Sequence, residues 1–337
     1  MSRAPSPTFS RRRFVKTAAA ALAAACAPNW VHGAPEEVPL TFPGMPIIDI
    51  HQHPFLARTA KETEAHQRNT GCACSIMMPS NPDGTGPGGN AWAQGLARAS
   101  KGRWFYCVRA SVAMDDVAKE VEPFLSADAV GIGELKESVQ SDSAYMHRVA
   151  DIAAAHDVPM LIHFEEGNFN SGYTRFHKML EKHPKTRFIG HAQTFWAQVD
   201  ARCPPDANGY PRGRITPGGL SDKWLADYPN FFGDLSSGSG NGALARDPEF
   251  MADFLVRHQE KLVYGSDCPC KTGVGPICTA AVKQRLLKQM CPSQDVLEKL
   301  LFRNARKIYR WPKAADYLMV GMISPVLIET RPVGLPG

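Results

Sequence analysis

Pro46-Ile47-Ile48-Asp49-Ile50-His51-Gln52-His53-Pro54 is a short apolar run that ends in His-x-His. Side chains alternate along a strand, so residues i and i+2 share a face. His51 and His53 therefore project together from the end of such a strand. Two imidazoles on one side make half of a divalent-metal site. Taken alone, the tripeptide reads equally well as a polar turn. Its weight comes from the strand ends farther along the chain.

Seven further strand-like runs succeed the first (46–50), at 74–78, 104–110, 130–135, 158–164, 187–191, 231–235 and 261–266. Between them, 57–69, 91–100, 114–126, 143–156, 173–182, 222–228 and 248–259 read as helices, and 277–290 and 293–309 come after the eighth run. The apolar residues of 151–156 and 296–301 recur at helical spacing. Continuous apolar strands alternating with helices imply a parallel sheet covered on both faces. Eight such units imply a closed (β/α)8 TIM-like barrel of the α/β class. A doubly wound open sheet is the rival, but no Gly-x-Gly-x-x-Gly follows the first run. Two Gly- and Pro-rich interruptions, 79–90 and 203–220, become loops at the C-terminal mouth of that barrel.

A barrel brings the C-terminal ends of all its strands to one face. Besides His51 and His53, those ends carry Glu134 in the fourth run, His163 in the fifth, His191 in the sixth and Asp267 after the eighth. Neutral imidazole and carboxylate hold zinc, or alternatively manganese, while leaving an open coordination position. One His after a strand is more often a packing residue than a ligand; four His and an Asp at matching strand ends are a constellation. A water on such a metal loses its proton near neutral pH, and a neighbouring carboxylate can carry that proton to a leaving group. Asp267 is assigned that role together with metal contact, and His191 polarises substrate or binds metal. Lys136, on the same face as Glu134, has three readings: a carbamylated metal bridge, a substrate cation, or a salt-bridge partner. Arg109 and Lys136 end the third and fourth runs and are candidate substrate-binding cations, with Trp196 as a candidate pocket wall; each has an ordinary structural alternative. His66, His147, His156, His177, His183 and His258 fall in helical or connecting stretches and read as surface or packing residues.

The chain has 337 residues, 44% hydrophobic and 21% charged, with a formal net charge of +5. That charge resides in the first 33 residues, where Arg3, Arg11, Arg12, Arg13 and Lys16 meet no acid; 33 basic and 33 acidic residues remain. The remainder therefore carries no electrostatic footprint for nucleic acid. Ser10-Arg11-Arg12-Arg13-Phe14-Val15-Lys16, an Ala-rich stretch to Ala27 and a small-residue site near Gly33 match a twin-arginine export signal. The expected organisation is a signal peptide over 1–33 and one barrel domain over 34–337, with a tail from about 312. The implied location is periplasmic or secreted. The partners are the export machinery and a small-molecule substrate, with no stable membrane span and with oligomerisation left open. Eight cysteines lie beyond the signal. Cys74 and Cys107 sit in apolar runs as buried thiols, whereas Cys203, Cys268 and Cys270 lie in loop-like sequence and are the better disulfide candidates.

The motifs together resemble the amidohydrolase superfamily, and within it the amidohydrolase-2 group of metal-dependent hydrolases and decarboxylases. Ile48 to Pro54 resembles its opening motif. Leu161-Ile162-His163, Ile189-Gly190-His191-Ala192 and Tyr264-Gly265-Ser266-Asp267-Cys268-Pro269 resemble its later ones. Residues 230–237, containing Asp234, resemble its seventh strand, and 300–309 its closing helix. The resemblance covers about 46–311. It implies a distorted barrel with one or two divalent metals, with His51, His53, His163 and Asp267 as ligands and His191 as a ligand or catalytic group. It also implies that a fourth-strand Glu134 or a carboxylated Lys136 bridges two metals where two are held. Cys268 stands where an aromatic residue is common. The expected activity is hydrolysis of an ester, lactone or amide carbonyl by metal-activated water. The alternatives are non-oxidative decarboxylation of an aromatic or unsaturated acid on the same site, and a non-catalytic metal- or ligand-binding barrel.

Overall fold

Eight parallel strands lie in one sheet in sequential order. They are β1 (Ile47–Gln52), β2 (Cys72–Met77), β3 (Trp104–Val108), β4 (Gly131–Leu135), β5 (Pro159–His163), β6 (Arg187–His191), β7 (Phe231–Asp234) and β8 (Leu262–Val263). The computed structural model describes residues 45–53, 59–81, 86–113, 116–207 and 209–312. Of the chain's two units, Met1–Pro39 and Leu40–Gly337, only the second contains described residues. The export-signal reading and the tail beyond Pro312 lie outside them.

The ring is completed where β1 meets the segment after β8. The Ile50 amide donates to the Tyr264 carbonyl at 3.2 Å, and the Asp267 amide to the His51 carbonyl at 2.8 Å. With helices between the strands, this is a (β/α)8 barrel. Strand alternation sorts the apolar residues into two cores. Met160, Ile162, Phe188, Phe231 and Leu262 face the helices. Leu161, Ile189, Phe232 and Val263 face the barrel interior, which Phe302, Ala305, Ile308 and Tyr309 from the closing helical segment help to fill. The same alternation puts His163 two residues beyond Leu161 and His191 two beyond Ile189, both on the inner face at the mouth.

β8 is shorter than the run 261–266 suggests, because its last residues are held by other groups. The Tyr264 amide donates to the Leu300 carbonyl at 2.8 Å, and the Ser266 amide to Asp49 Oδ1 at 2.8 Å. The expected helix 293–309 contains a π-turn over Lys299–Arg303 between helices Gln294–Glu298 and Asn304–Ile308. That turn leaves the Leu300 carbonyl to Tyr264, while Asn304 Nδ2 donates to the carbonyls of Leu262 and Gln259 at 2.8 and 2.7 Å. Two helices absent from the sequence reading are present, Ala192–Ala197 and Ser237–Arg246. The second reads SGSGNGALAR, whose glycines lower helix propensity; its buried Ala243 and Leu244 supply the packing that overrides it. The disulfide expectation is corrected: no disulfide joins any of the eight described cysteines. Among the described residues, no helix is long and apolar enough to cross a membrane.

Candidate metal centre

Asp49 fixes the end of β1. Its carboxylate accepts from the His51 amide at 3.2 Å, from the Ser266 amide at 2.8 Å and from the Gln52 side chain. These bonds tie the strand end to the segment that carries Asp267. Gly265 permits the approach, since a Cβ there would collide with Asp234 Oδ1 and stand 3.0 Å from His51 Cβ.

Both β1 imidazoles are aimed from behind. His51 Nδ1 lies 2.8 Å from Asp234 Oδ2, and His53 Nδ1 lies 3.1 Å from the Met78 carbonyl and 3.0 Å from Ser80 Oγ. Their Nε2 atoms therefore point at each other across 2.9 Å. Glu134 Oε2 sits 3.2 Å from His53 Nε2 and 3.9 Å from His51 Nε2, and Asp267 Oδ1 sits 3.8 and 3.9 Å from the same two atoms. The other oxygen of Glu134 faces the second pair, 2.6 Å from His163 Nδ1 and 3.5 Å from His191 Nε2. Asp267 Oδ2 is 3.8 Å from that same His191 nitrogen. His191 Nδ1 is held by Ser236 Oγ at 3.0 Å and Asp234 Oδ2 at 3.2 Å. One carboxylate, Glu134, is thus shared between two imidazole pairs, with Asp267 reaching both.

The electrostatics suit a cation. Burial alone would depress the His51 pKa, but Asp267, Asp234 and Glu134 overcome it and raise it to about 10. Burial opposes ionisation of Glu134 and Asp234 too, yet the surrounding imidazoles hold both carboxyls well below the usual range. His191 stays low through burial. This crowd of buried carboxylates and converging Nε2 atoms fits a divalent metal, whose charge would replace the proton otherwise drawn onto His51. Three overlapping groups have ligand atoms within 4.8 Å of one another: His51, His53 and Asp267; His51, His191 and Asp234; and Glu134, His163 and His191.

The candidate substrate residues fare differently. Lys136 follows β4, with its Nζ 5.1 Å from the centroid of the Phe169 ring. Phe169 in turn packs edge-on to His163 and lines a cavity of about 440 Å³ with Gln140, Gly167 and Asn168. Arg109 is buried, with its guanidinium bonded to Glu137 at 2.5 Å, so the salt-bridge alternative describes it. Trp196 is corrected from a pocket wall to a core residue: it is 3% exposed and packed against Phe195 and Phe254.

Sequence reasoning did not assign Asp49, Asp234, Ser236 or Lys283. Asp49 and Asp234 lie inside recognisable motifs, but only the fold shows that they aim histidines and strand ends. Lys283 is fully buried with Nζ 2.8 Å from Asn241 Oδ1, and burial lowers its pKa to about 7 against the pull of Asp234 and Asp267. Nothing in its helical sequence context marks it.

A family model described as Amidohydrolase matches residues 83–311. No curated protein matches the chain. Among solved structures, an amidohydrolase from Burkholderia multivorans with bound Zn is 16% identical, with TM-score 0.53, covering 79% of this chain and 100% of its own. A 5-carboxyvanillate decarboxylase from Sphingomonas paucimobilis is 15% identical, TM-score 0.50, covering 76% and 84%. A structure from Acinetobacter baumannii, described as a probable 2-pyrone-4,6-dicarboxylic acid hydrolase with citric acid bound, is 13% identical, TM-score 0.50, covering 78% and 99%. At these identities the structural likeness is one of fold.

Proposed function

Because the chain belongs to the amidohydrolase family of enzymes, we propose that it is a metal-dependent hydrolase acting on the ester, lactone or amide carbonyl of a small molecule. Glu134 carries this reading, with one oxygen turned to His51 and His53 and the other to His163 and His191. His51, His53 and Asp267 would hold one ion, and Glu134 would share itself with a second at His163 and His191. Zinc suits this donor set first and manganese second. A divalent metal there supplies Lewis acidity, polarising a carbonyl and acidifying a water.

The chain's own groups supply the rest. Asp234 fixes the orientation of His51 and His191 through their Nδ1 atoms. Asp267 has a side chain 27% exposed, against 8% for Glu134 and 0% for Asp234. Of these three it has the most access to the mouth, and so takes a proton from the attacking water and returns it to the leaving group. The cavity beside Phe169 is of a size to admit a small substrate.

Decarboxylation of an aromatic or unsaturated acid is the second reading. Lys136 near the Phe169 ring favours it, as a cation placed to receive a carboxylate. The commitment of Arg109 to Glu137 weakens it, because that guanidinium is already neutralised.

The test is metal content per chain by mass spectrometry, for wild type, His51→Ala and Asp267→Asn, together with turnover on lactone, ester and aromatic-acid panels. One or two equivalents of non-thiolate metal, lost in His51→Ala, with hydrolysis lost in Asp267→Asn, is the expected result. Wild type without such metal would overturn the proposal, and release of carbon dioxide alone would select the second reading. Export is proposed on Ser10 to Lys16: replacing Arg11 and Arg12 by Lys should retain the protein in the cytoplasm on fractionation.

A further inference from the structure

We propose that His66, Cys268, Cys270 and Cys278 form a second metal site, a structural zinc site that clamps the loop after β8 onto helix Ala60–Asn69. The four ligand atoms lie within 4.8 Å of one another. Cys268 Sγ is 3.6 Å from Cys278 Sγ, which in turn is 3.8 Å from His66 Nε2. A tetrahedral zinc with bonds of about 2.3 Å to sulfur and about 2.0 Å to nitrogen separates its ligands by roughly 3.7 Å (S to S) and 3.5 Å (S to N). A disulfide requires about 2.05 Å. The observed spacing is that of co-ligands and not of a bond. Three cysteines and one histidine are also a common structural zinc set.

The surroundings also hold these side chains in place. The Gly273 amide donates to Cys270 Sγ at 3.2 Å, and the Ala281 amide to Cys278 Sγ at 3.5 Å. Cys278 is the N-cap of helix Thr279–Met290, which fixes the direction of its side chain. His66, Cys268 and Cys278 are buried, and Ala280 and Ala281 pack with the two cysteines. The loop is drawn onto the His66 helix by contacts that need no metal. Asn69 Nδ2 donates to the Thr272 carbonyl at 2.8 Å, and Lys271 pairs with Glu62 at 3.0 Å. Gly273, at φ +76°, lies so close to the His66 backbone that a Cβ would stand 2.7 Å from its carbonyl oxygen. The ligands come from three places, the helix after β1, the turn after β8 and the start of the next helix. Sequence spacing alone, Cys-x-Cys with a distant Cys, does not show them together.

Cys268 directly follows Asp267, which has φ +41°, a left-handed conformation unfavourable for a residue with a side chain. An ion on Cys268 holds this backbone in place and so positions Asp267. The site itself does not depend on which reaction the barrel performs.

The two centres can be told apart because the barrel-mouth cluster contains no sulfur. Protein produced in cobalt-supplemented, zinc-depleted medium should show the intense near-ultraviolet thiolate-to-cobalt charge-transfer absorption, and His51→Ala should retain it. Zinc-loaded wild type titrated with an organomercurial should release one equivalent of zinc per chain. Cys278→Ser and Cys270→Ser should each lose one equivalent and the cobalt band, with far-ultraviolet circular dichroism unchanged. If a variant misfolds, the titration of wild type decides. No thiolate-linked metal in wild type would overturn the proposal. A Cys268–Cys278 disulfide, mapped by mass spectrometry of peptides from non-reduced protein, would also overturn it.

Discussion

Asp234 shows what a single side chain does for the candidate centre without facing the substrate. Its Oδ2 lies 2.8 Å from His51 Nδ1 and 3.2 Å from His191 Nδ1, so one buried carboxylate sets the tautomer of two imidazoles on different strands. Asp234→Asn keeps the shape and removes the charge. Metal affinity, read by competition with a chromophoric chelator, should fall about 10- to 100-fold, the usual cost of losing such a partner. Affinity unchanged within about twofold would mean that Asp234 only packs. Asp234 is visible in the sequence as part of a motif but has no role there, because its role depends on β7 lying next to β6 and two places from β1 in the closed ring. His51, His53, His163 and His191 were legible because strand alternation alone decides which way they point. Trp196 was misread because an aromatic near a loop carries no sign of which side of its helix faces the core.

Elements were legible where the apolar pattern is long and uninterrupted, as in β5 and β6. They were not where one residue replaces ladder bonding, as Asp49 does at the end of β8. Helix Ser237–Arg246 was hidden by its own glycines. Glycine at an element contact can be essential or idle, and two positions separate the cases. A Cβ at Gly190 in β6 would press into the Phe195 ring and stand 3.1 Å from Phe231. Neither ring can withdraw, since both are fully buried. Gly190→Ala should therefore cost about 1–3 kcal/mol by overpacking, lowering Tm by roughly 2–4 °C per kcal/mol for a chain of this size. Gly238, inside helix Ser237–Arg246, meets nothing within 4 Å. Gly238→Ala should leave Tm unchanged or raise it, through about 0.5–1 kcal/mol of relieved backbone entropy. Calorimetry on the two variants checks both signs; equal effects would show that the β6–helix contact is looser than the geometry indicates.

Across the whole molecule, the helical layer is held partly by ion pairs such as the one at Asp222, and these tie stability to pH. Asp222 in helix Leu220–Asp227 lies 2.5 Å from Arg257 Nη1 and 2.6 Å from His258 Nε2, at the end of helix Pro248–Arg257. Burial pushes its carboxyl upward, but the hydrogen bonds from His258 and Arg257 outweigh burial and hold it below its ordinary value of 3.8. A depressed carboxyl contributes stability that is complete above its unfolded pKa and is lost as pH falls through the folded value. Wild type should therefore be about 1–2 kcal/mol more stable than Asp222→Asn at neutral pH, since a charged, hydrogen-bonded pair replaces a neutral one and part of Arg257 remains in water. That difference should hold from about pH 7 to about pH 5 and shrink below about pH 4, as the wild-type carboxyl takes up its proton. Urea melts of both proteins at several pH values measure it. A difference that stays constant into acid would assign the penalty to lost packing between the two helices, and the charge would then have no part in joining them.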